Sequence, residues 1–177
     1  LGLGIENPDN ENRRVIHKEG FKEVSVLNQI KTIRDAGINV GGNYIFGLPF
    51  DTEKSMKNTL DFSLENPTEM ANFYCAMAYP GSPLFAQARR EGLELPEKYA
   101  GFSQHSYETL NLRNNQLTSA EILSFRDNAW DVYHTSDKYL SLMRGKFGDR
   151  AYNELKATKK IKLKRKLLEE ANTELVL

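Results

Sequence analysis

Apolar positions fall along the chain in two alternating periods. Leu1-Gly2-Leu3-Gly4-Ile5-Glu6 reads as a strand entered midway, and Pro8-Asp9-Asn10-Glu11-Asn12 as a polar loop. Between Val24 and Ala36, the residues Val26, Leu27, Ile30 and Ile33 lie at helical spacing, and Gly37 stands where a helix-ending residue takes positive φ. Ile38 to Phe46 is apolar with β-branched and aromatic members, the pattern of a largely buried strand, and it runs into Gly47-Leu48-Pro49-Phe50. Thr52 then caps a predicted helix through Glu65, with Met56, Leu60 and Leu64 on one face and Asn66-Pro67 as its stop. A third strand is predicted over Met70 to Tyr79. The rigid turn Tyr79-Pro80-Gly81-Ser82-Pro83 and a short helix from Leu84 to Glu91, closed by Gly92, follow it.

The order β-α-β-α-β-α specifies parallel βα units, whose crossovers are right-handed and whose functional loops gather at the C-terminal ends of the strands. Three such units make half a barrel and leave one strand edge bare, so further strands are expected before Leu1, which is not an initiator Met. Residues 93–117 lack a period and are expected to form a covering loop. Thr118-Ser119-Ala120-Glu121 supplies a capping box for a long helix carrying Ile122, Phe125, Ala129 or Trp130, and Tyr133. More helices are expected from Ser136 to Arg144, Asp149 to Ala157 and Lys159 to Ala171, with breaks at Gly145 and Gly148. The chain thus divides into an α/β unit over 1–110 and a helical extension over 111–177.

Composition sharpens this picture at three points. Lys and Arg number 24 and so do Asp and Glu, which argues against a nucleic-acid partner, yet 1–110 carries a net of −4 and 111–177 a net of +4. No apolar run approaches the ~20 residues that cross a bilayer. Cys75 is the single cysteine, which fits a reducing compartment and excludes an all-cysteine cluster or zinc site made by this chain alone. Cys75 itself reads as a small buried apolar residue.

Three strand ends carry the candidate chemistry. Glu6 places a carboxylate where ligand hydroxyls or an amine are met, though taken alone the residue reads more readily as an exposed strand-end Glu. Gly47 after a buried strand lets a planar ligand approach the backbone, Leu48 and Pro49 present apolar faces, and the helix start at Asp51-Thr52 offers amides to a carboxylate or phosphate. A plain tight βα turn has the same residues. Tyr79 has a ring that could cover a ligand, or the turn after it is simply rigid. His17, His105 and His134 lack ligand spacing, and the basic run from Lys156 to Lys166 reads as a solvated helix with Ile161, Leu163, Leu167 and Leu168 packed.

Taken together, Gly4-Ile5-Glu6, Lys18, Asp35-Ala36-Gly37-Ile38, Phe46-Gly47-Leu48-Pro49 and Tyr79-Pro80-Gly81-Ser82-Pro83 resemble, in order and spacing, the second half of a radical S-adenosylmethionine (SAM) enzyme. The resemblance covers residues 1–92. Beyond it, Tyr139-Leu140 and the run from Lys162 to Leu168 look like the tail of the subgroup with an N-terminal cobalamin-binding domain.

The resemblance implies the C-terminal half of a partial (βα)6 TIM-like barrel followed by an α-helical extension. It implies SAM and a [4Fe–4S] cluster on three cysteines spaced C-x3-C-x2-C, with cobalamin in the subgroup named. It further implies a small-molecule substrate, flavodoxin or ferredoxin as electron donor, and the missing N-terminal half of the barrel as partner. Carried over residue by residue, Glu6 and Asn7 meet the ribose or methionine end of SAM, Ile45, Gly47 and Leu48 support the adenine, Asn43 is a further cofactor-binding candidate on the same strand, and Tyr79 lies near the last strand's rim. Departures from the family pattern are Asn7-Pro8 after Gly-Ile-Glu, Asn43 where Gly is common, Phe50-Asp51 after Leu-Pro, and the absent cluster cysteines. The implied reaction starts by hydrogen-atom abstraction or is a cobalamin-dependent methyl transfer, and this chain alone is expected to be inactive. The alternative is a non-catalytic nucleotide-binding or interaction module without a cluster.

Overall fold

A computed structural model of the chain describes residues 1–6, 26–158 and 162–174. Three strands, β1 (Gly2–Glu6), β2 (Gly41–Phe46) and β3 (Met70–Cys75), lie side by side in that order in one parallel sheet. Among the described residues six helices accompany them: α1 (Val26–Asp35), α2 (Glu53–Glu65), α3 (Pro83–Arg90), α4 (Ser119–Thr135), α5 (Asp137–Thr158) and α6 (Lys166–Glu174). The covering segment contains only a 3-10 turn over Tyr99–Phe102. The chain is therefore α/β with a helical extension.

Strict alternation along the strands decides which face is buried. Tyr44 and Phe46 of β2, Ala71, Phe73 and Cys75 of β3, and Ile5 of β1 point into one core with Ile30 of α1, Met56 and Leu60 of α2, Ile122, Leu123, Ala129 and Tyr133 of α4, and Tyr139 and Leu140 of α5. Phe73 stacks between Tyr44 and Phe46 at centroid separations of 5.2 and 5.7 Å, while Tyr133 and Phe125 meet this row edge-on. The intervening strand residues Asn43, Ile45, Asn72 and Tyr74 are only half-buried, on the opposite face.

The two sheet edges are treated differently. Along the free edge of β3, the Gln104 side chain accepts from the Cys75 amide and donates to the Cys75 carbonyl, both at 3.0 Å. Arg126 Nε donates to the Phe73 carbonyl at 2.7 Å, and the Leu112 amide to that of Ala76 at 3.1 Å. At the strand entry, the Tyr133 hydroxyl donates to the Thr68 carbonyl and accepts from the Thr68 amide. Side chains thus stand in for a fourth strand. Among the described residues, no strand pairs with the outer edge of β1.

Several boundaries differ from the sequence expectation. β2 begins at Gly41, not Ile38, because the Gly37 and Ile38 amides bond back to Arg34 and Ile33 carbonyls and finish α1. β3 ends at Cys75, not Tyr79, since Ala76 is shared between the Phe46 carbonyl and the Leu112 amide, and the Tyr79 carbonyl then closes the turn with Ser82. Gly145 continues α5, and the break falls at Gly148 alone, with φ 81° and ψ 179°. Asn7, the loop at 8–12, His17, Lys18 and Ile161 lie outside the described residues.

The largest correction concerns the basic tail. Lys162 to Arg165 are not helical, and α6 starts only at Lys166. Arg165 is no solvated cation: its side chain is 1% exposed. Its five N–H donors reach both Asp127 oxygens (2.9 and 3.0 Å), the Ser106 and Gln104 carbonyls and the Thr109 hydroxyl. A guanidinium can be buried where every donor is met and a carboxylate balances its charge. Burial pushes the Asp127 carboxyl upward, but hydrogen bonds from Arg165 and Arg126 outweigh it and hold the net value below the usual range.

Arg165→Met should therefore destabilise the fold by about 3–5 kcal/mol, read from the urea midpoint, because Asp127 keeps its charge while losing a bidentate partner. Since the folded pKa of Asp127 is depressed, the pair's contribution is present above the unfolded value of about 3.9 and fades as pH falls through the folded one. Wild-type stability should accordingly drop on acidification below about pH 4, and Arg165→Met should flatten that limb. An unchanged acid limb would show that Asp127 titrates independently of Arg165.

Candidate functional site

At the C-terminal end of β1, the register slips between Gly4, opposite Asn43, and Glu6, opposite Tyr44. Glu6 has φ 58°, the only positive φ on a non-glycine among the described residues. That conformation costs of the order of 1–2 kcal/mol for an L-residue. With it Ile5 stays in the core while Glu6 is left half-exposed at the strand end.

On the half-open face, Asn43 accepts a 2.9 Å hydrogen bond from Asn72, its register partner on β3. Ile45 and Tyr74 form the next pair toward the C-terminal end. Glycine keeps this surface low, since a Cβ on Gly2 would stand 3.6 Å from the Asn43 amide nitrogen. The face therefore offers a pair of neutral amides beside an aliphatic and an aromatic side chain.

The turn after β2 is built by Asp51. Its buried carboxylate accepts from the Leu48 amide at 3.0 Å, from the Gly47 amide and from the Ser55 hydroxyl at 2.6 Å. Burial nonetheless pushes the Asp51 carboxyl above the usual range, those hydrogen bonds opposing it. From 66 residues away, Asn114 Nδ2 donates to the Leu48 carbonyl at 3.0 Å, and also to the Asp51 carbonyl at 2.9 Å. Thr52 and Ser55 close a reciprocal capping box at the start of α2. At the helix start, where amides were expected to be open to a ligand's carboxylate or phosphate, the Ser55 amide is held by the Thr52 hydroxyl, and the Gly47 and Leu48 amides of the turn are held by Asp51. What the turn presents is the apolar side of Leu48, Pro49 and Phe50, the last 62% exposed.

Gly47 is required for packing as well as for the turn. It has φ 75°, and a Cβ there would lie 2.6 Å from Ile122 Cγ2 of α4, on the core side and not on a ligand side. Tyr79 is half-exposed, its ring 6.3 Å from that of Phe102. The structure thus brings Asn43 and Ile45 to one face, sets Glu6 at the C-terminal end of β1 and Gly47 and Leu48 at that of β2, and leaves Tyr79 with the covering segment. Asn72 and Tyr74 join the face; their alternation within Met70–Cys75 was the available signal. Asp51 and Asn114 were missed as turn builders, and no local pattern marks a partner so distant in sequence.

Cys75 is buried and its thiol is pushed up to about 12 by desolvation, so it is an inert core residue. His105 Nε2 lies 3.3 Å from Arg126, and the His134 ring stacks on Trp130 at 4.3 Å. Both are structural. Among the described residues, no three His, Cys, Asp or Glu side chains converge as metal ligands, and no helix is long and apolar enough to cross a membrane.

Gly47→Ala should cost about 2–4 kcal/mol in chemical denaturation, combining a strained φ with overpacking against Ile122. Asn114→Ala should cost about 1–3 kcal/mol by leaving two turn carbonyls unmet. Wild-type stability in either variant would mean that the turn is held by other contacts.

No family model matches the chain. It is 30% identical over 90 residues to the hopanoid C-2 methylase of Rhodopseudomonas palustris, covering 51% of this chain and 17% of that protein. An uncharacterized methyltransferase of Pyrococcus horikoshii is 24% identical over 140 residues, 78% of this chain and 29% of that one. The bacteriochlorophyllide d C-12(1)-methyltransferase of Chlorobaculum tepidum is 24% identical over 109 residues, 62% of this chain and 22% of that one. The chain thus spans less than a third of the length of the relatives it matches. It is similar, distantly and over part of each sequence, to proteins named for the transfer of methyl groups.

Proposed function

We propose that this chain is the C-terminal part of the core of a radical SAM methyltransferase, and that its half-open sheet face forms one wall of the SAM and substrate site. The observation that supports the reading is a parallel sheet with one face packed on helices and the other half-open, the latter carrying Asn43 and Ile45, with Glu6 at the C-terminal end of β1. In this reading the bare edge of β1 receives the preceding strands of a partial barrel, which the capped edge of β3 does not need. Methyl transfer is favoured over other radical chemistry by the names of the similar proteins.

The residues present do not suit the iron–sulfur cluster. A [4Fe–4S] cluster takes thiolates, and this chain has one thiol, buried in β3. Cluster ligands would come from another part of the protein, and no step is assigned to them here. For SAM the face is chemically suitable: Glu6 can accept from ribose hydroxyls or the ammonium, the Asn43–Asn72 pair offers donors and acceptors, and Ile45 and Leu48 give apolar support to a purine. Bound SAM supplies the methyl or adenosyl group; the residues of this chain hold and orient it and exclude water. Cobalamin, a flavodoxin or ferredoxin donor, and a reducing cytoplasmic setting belong to the same proposal.

The test is anaerobic reconstitution of the full-length protein, followed by measurement of SAM binding and of SAM cleavage. Glu6→Gln should weaken SAM binding about tenfold or more, with fold and cluster absorbance intact. Unchanged affinity would remove Glu6 from the site. A full-length protein that neither takes up iron nor cleaves SAM, yet binds adenosine, would overturn the enzyme reading in favour of a nucleotide-binding module.

A further inference from the structure

A cavity of about 300 Å³ opens at the C-terminal ends of β2 and β3, between the Gly47 turn, α3 and the segment at 112–115. Its floor is apolar: Ala76, Ala88 and Leu112 are buried there, and Phe50 stands exposed at its mouth. Of the polar side chains around it, Gln87, Glu91 and Asn114 are engaged with neighbours, while Asn115 and Arg113 have no hydrogen bond among the described residues. Gln87 donates to Glu91 at 2.8 Å, and the Asn114 side chain is committed to the turn and to the Gln116 and Leu117 amides. Arg113 is exposed on the same wall and has no hydrogen bond or ion pair among the described residues.

An apolar hollow with one uncommitted guanidinium is a recognition pattern: the floor takes a hydrocarbon body, and the planar fork takes an anionic oxygen group in bidentate fashion. We infer that this cavity binds the acidic end of a small, largely apolar molecule, with its carboxylate or phosphate on Arg113 and its body against Ala76, Ala88 and Leu112. The inference rests on the proposed reading in taking this end of the sheet as the reactive one, and it names the substrate class: apolar and anionic. Arg113 is then a specificity-determining residue, and the rigid turn fixed by Asp51 and Asn114 holds the opposite wall in place.

Octanoate, octyl phosphate and octan-1-ol are the probes, titrated into the full-length protein by calorimetry. At least one of the two anions should bind, which of them telling carboxylate from phosphate, and octan-1-ol should bind about tenfold more weakly or not at all. Arg113→Gln should weaken the anion about tenfold and leave octan-1-ol unchanged, while Ala88→Leu, which fills the floor, should weaken all three. The inference is overturned if the alcohol binds as well as the anions, if Arg113→Gln leaves anion affinity intact, or if no probe binds. SAM cleavage measured on the same preparations keeps the readings apart: cleavage without anion binding sinks only this inference, and anion binding without cleavage sinks only the enzyme proposal.

Discussion

The row Tyr44–Phe73–Phe46, stacked across two parallel strands and closed edge-on by Phe125 and Tyr133, is the contact on which the rest of the molecule depends. Large aromatic rings on alternate positions commit one face of β2 and β3 to the helices, because burying them there removes a large apolar area from water. By the same alternation, Asn43, Ile45, Asn72 and Tyr74 are driven to the other face. Core and candidate site are thus two consequences of one period-two pattern.

A parallel sheet of three strands has two edges to manage, and this chain manages them unequally. Gln104, Arg126 and Tyr133 supply the missing partners along β3, and Arg165 ties Gln104's segment to α4 through Asp127. The C-terminal extension therefore serves as the outer wall of the sheet. β1 has no such cover among the described residues, and its last residue, Glu6, adopts a left-handed conformation at the strand end. This asymmetry agrees with a sheet that continues on one side only, as the proposed partial barrel requires.

At the C-terminal ends of the strands, rigidity comes from polar groups that a ligand would otherwise have used. Asp51 and Asn114 consume the amides and carbonyls of the Gly47 turn, so it presents apolar surface to the rim. In the proposed reading, recognition of charge is left to side chains: Glu6 at the end of β1, and Arg113 beside the small cavity. That division suits a ligand set with both apolar rings and charged ends.

The element order, the N-cap at Thr52, the capping box at Thr118, the burial of Cys75 and the position of Glu6 and Gly47 at strand ends were legible in the sequence, because each follows from local period or local turn chemistry. The strand ends at Gly41 and Cys75 were not, since they depend on which distant carbonyl or amide takes the next hydrogen bond. The tail misled for the same reason: a run of Lys and Arg has the composition of a solvated helix, and nothing near Arg165 in sequence announces Asp127, Thr109 and Gln104. The α/β order is carried by residues a few positions apart, so local pattern was enough for it. That β2 is buried on one face rather than largely throughout, that Gly47 packs on Ile122, that Asn114 locks the turn and that Arg165 is interior emerged with packing, because each joins residues that meet once the sheet and helices have assembled.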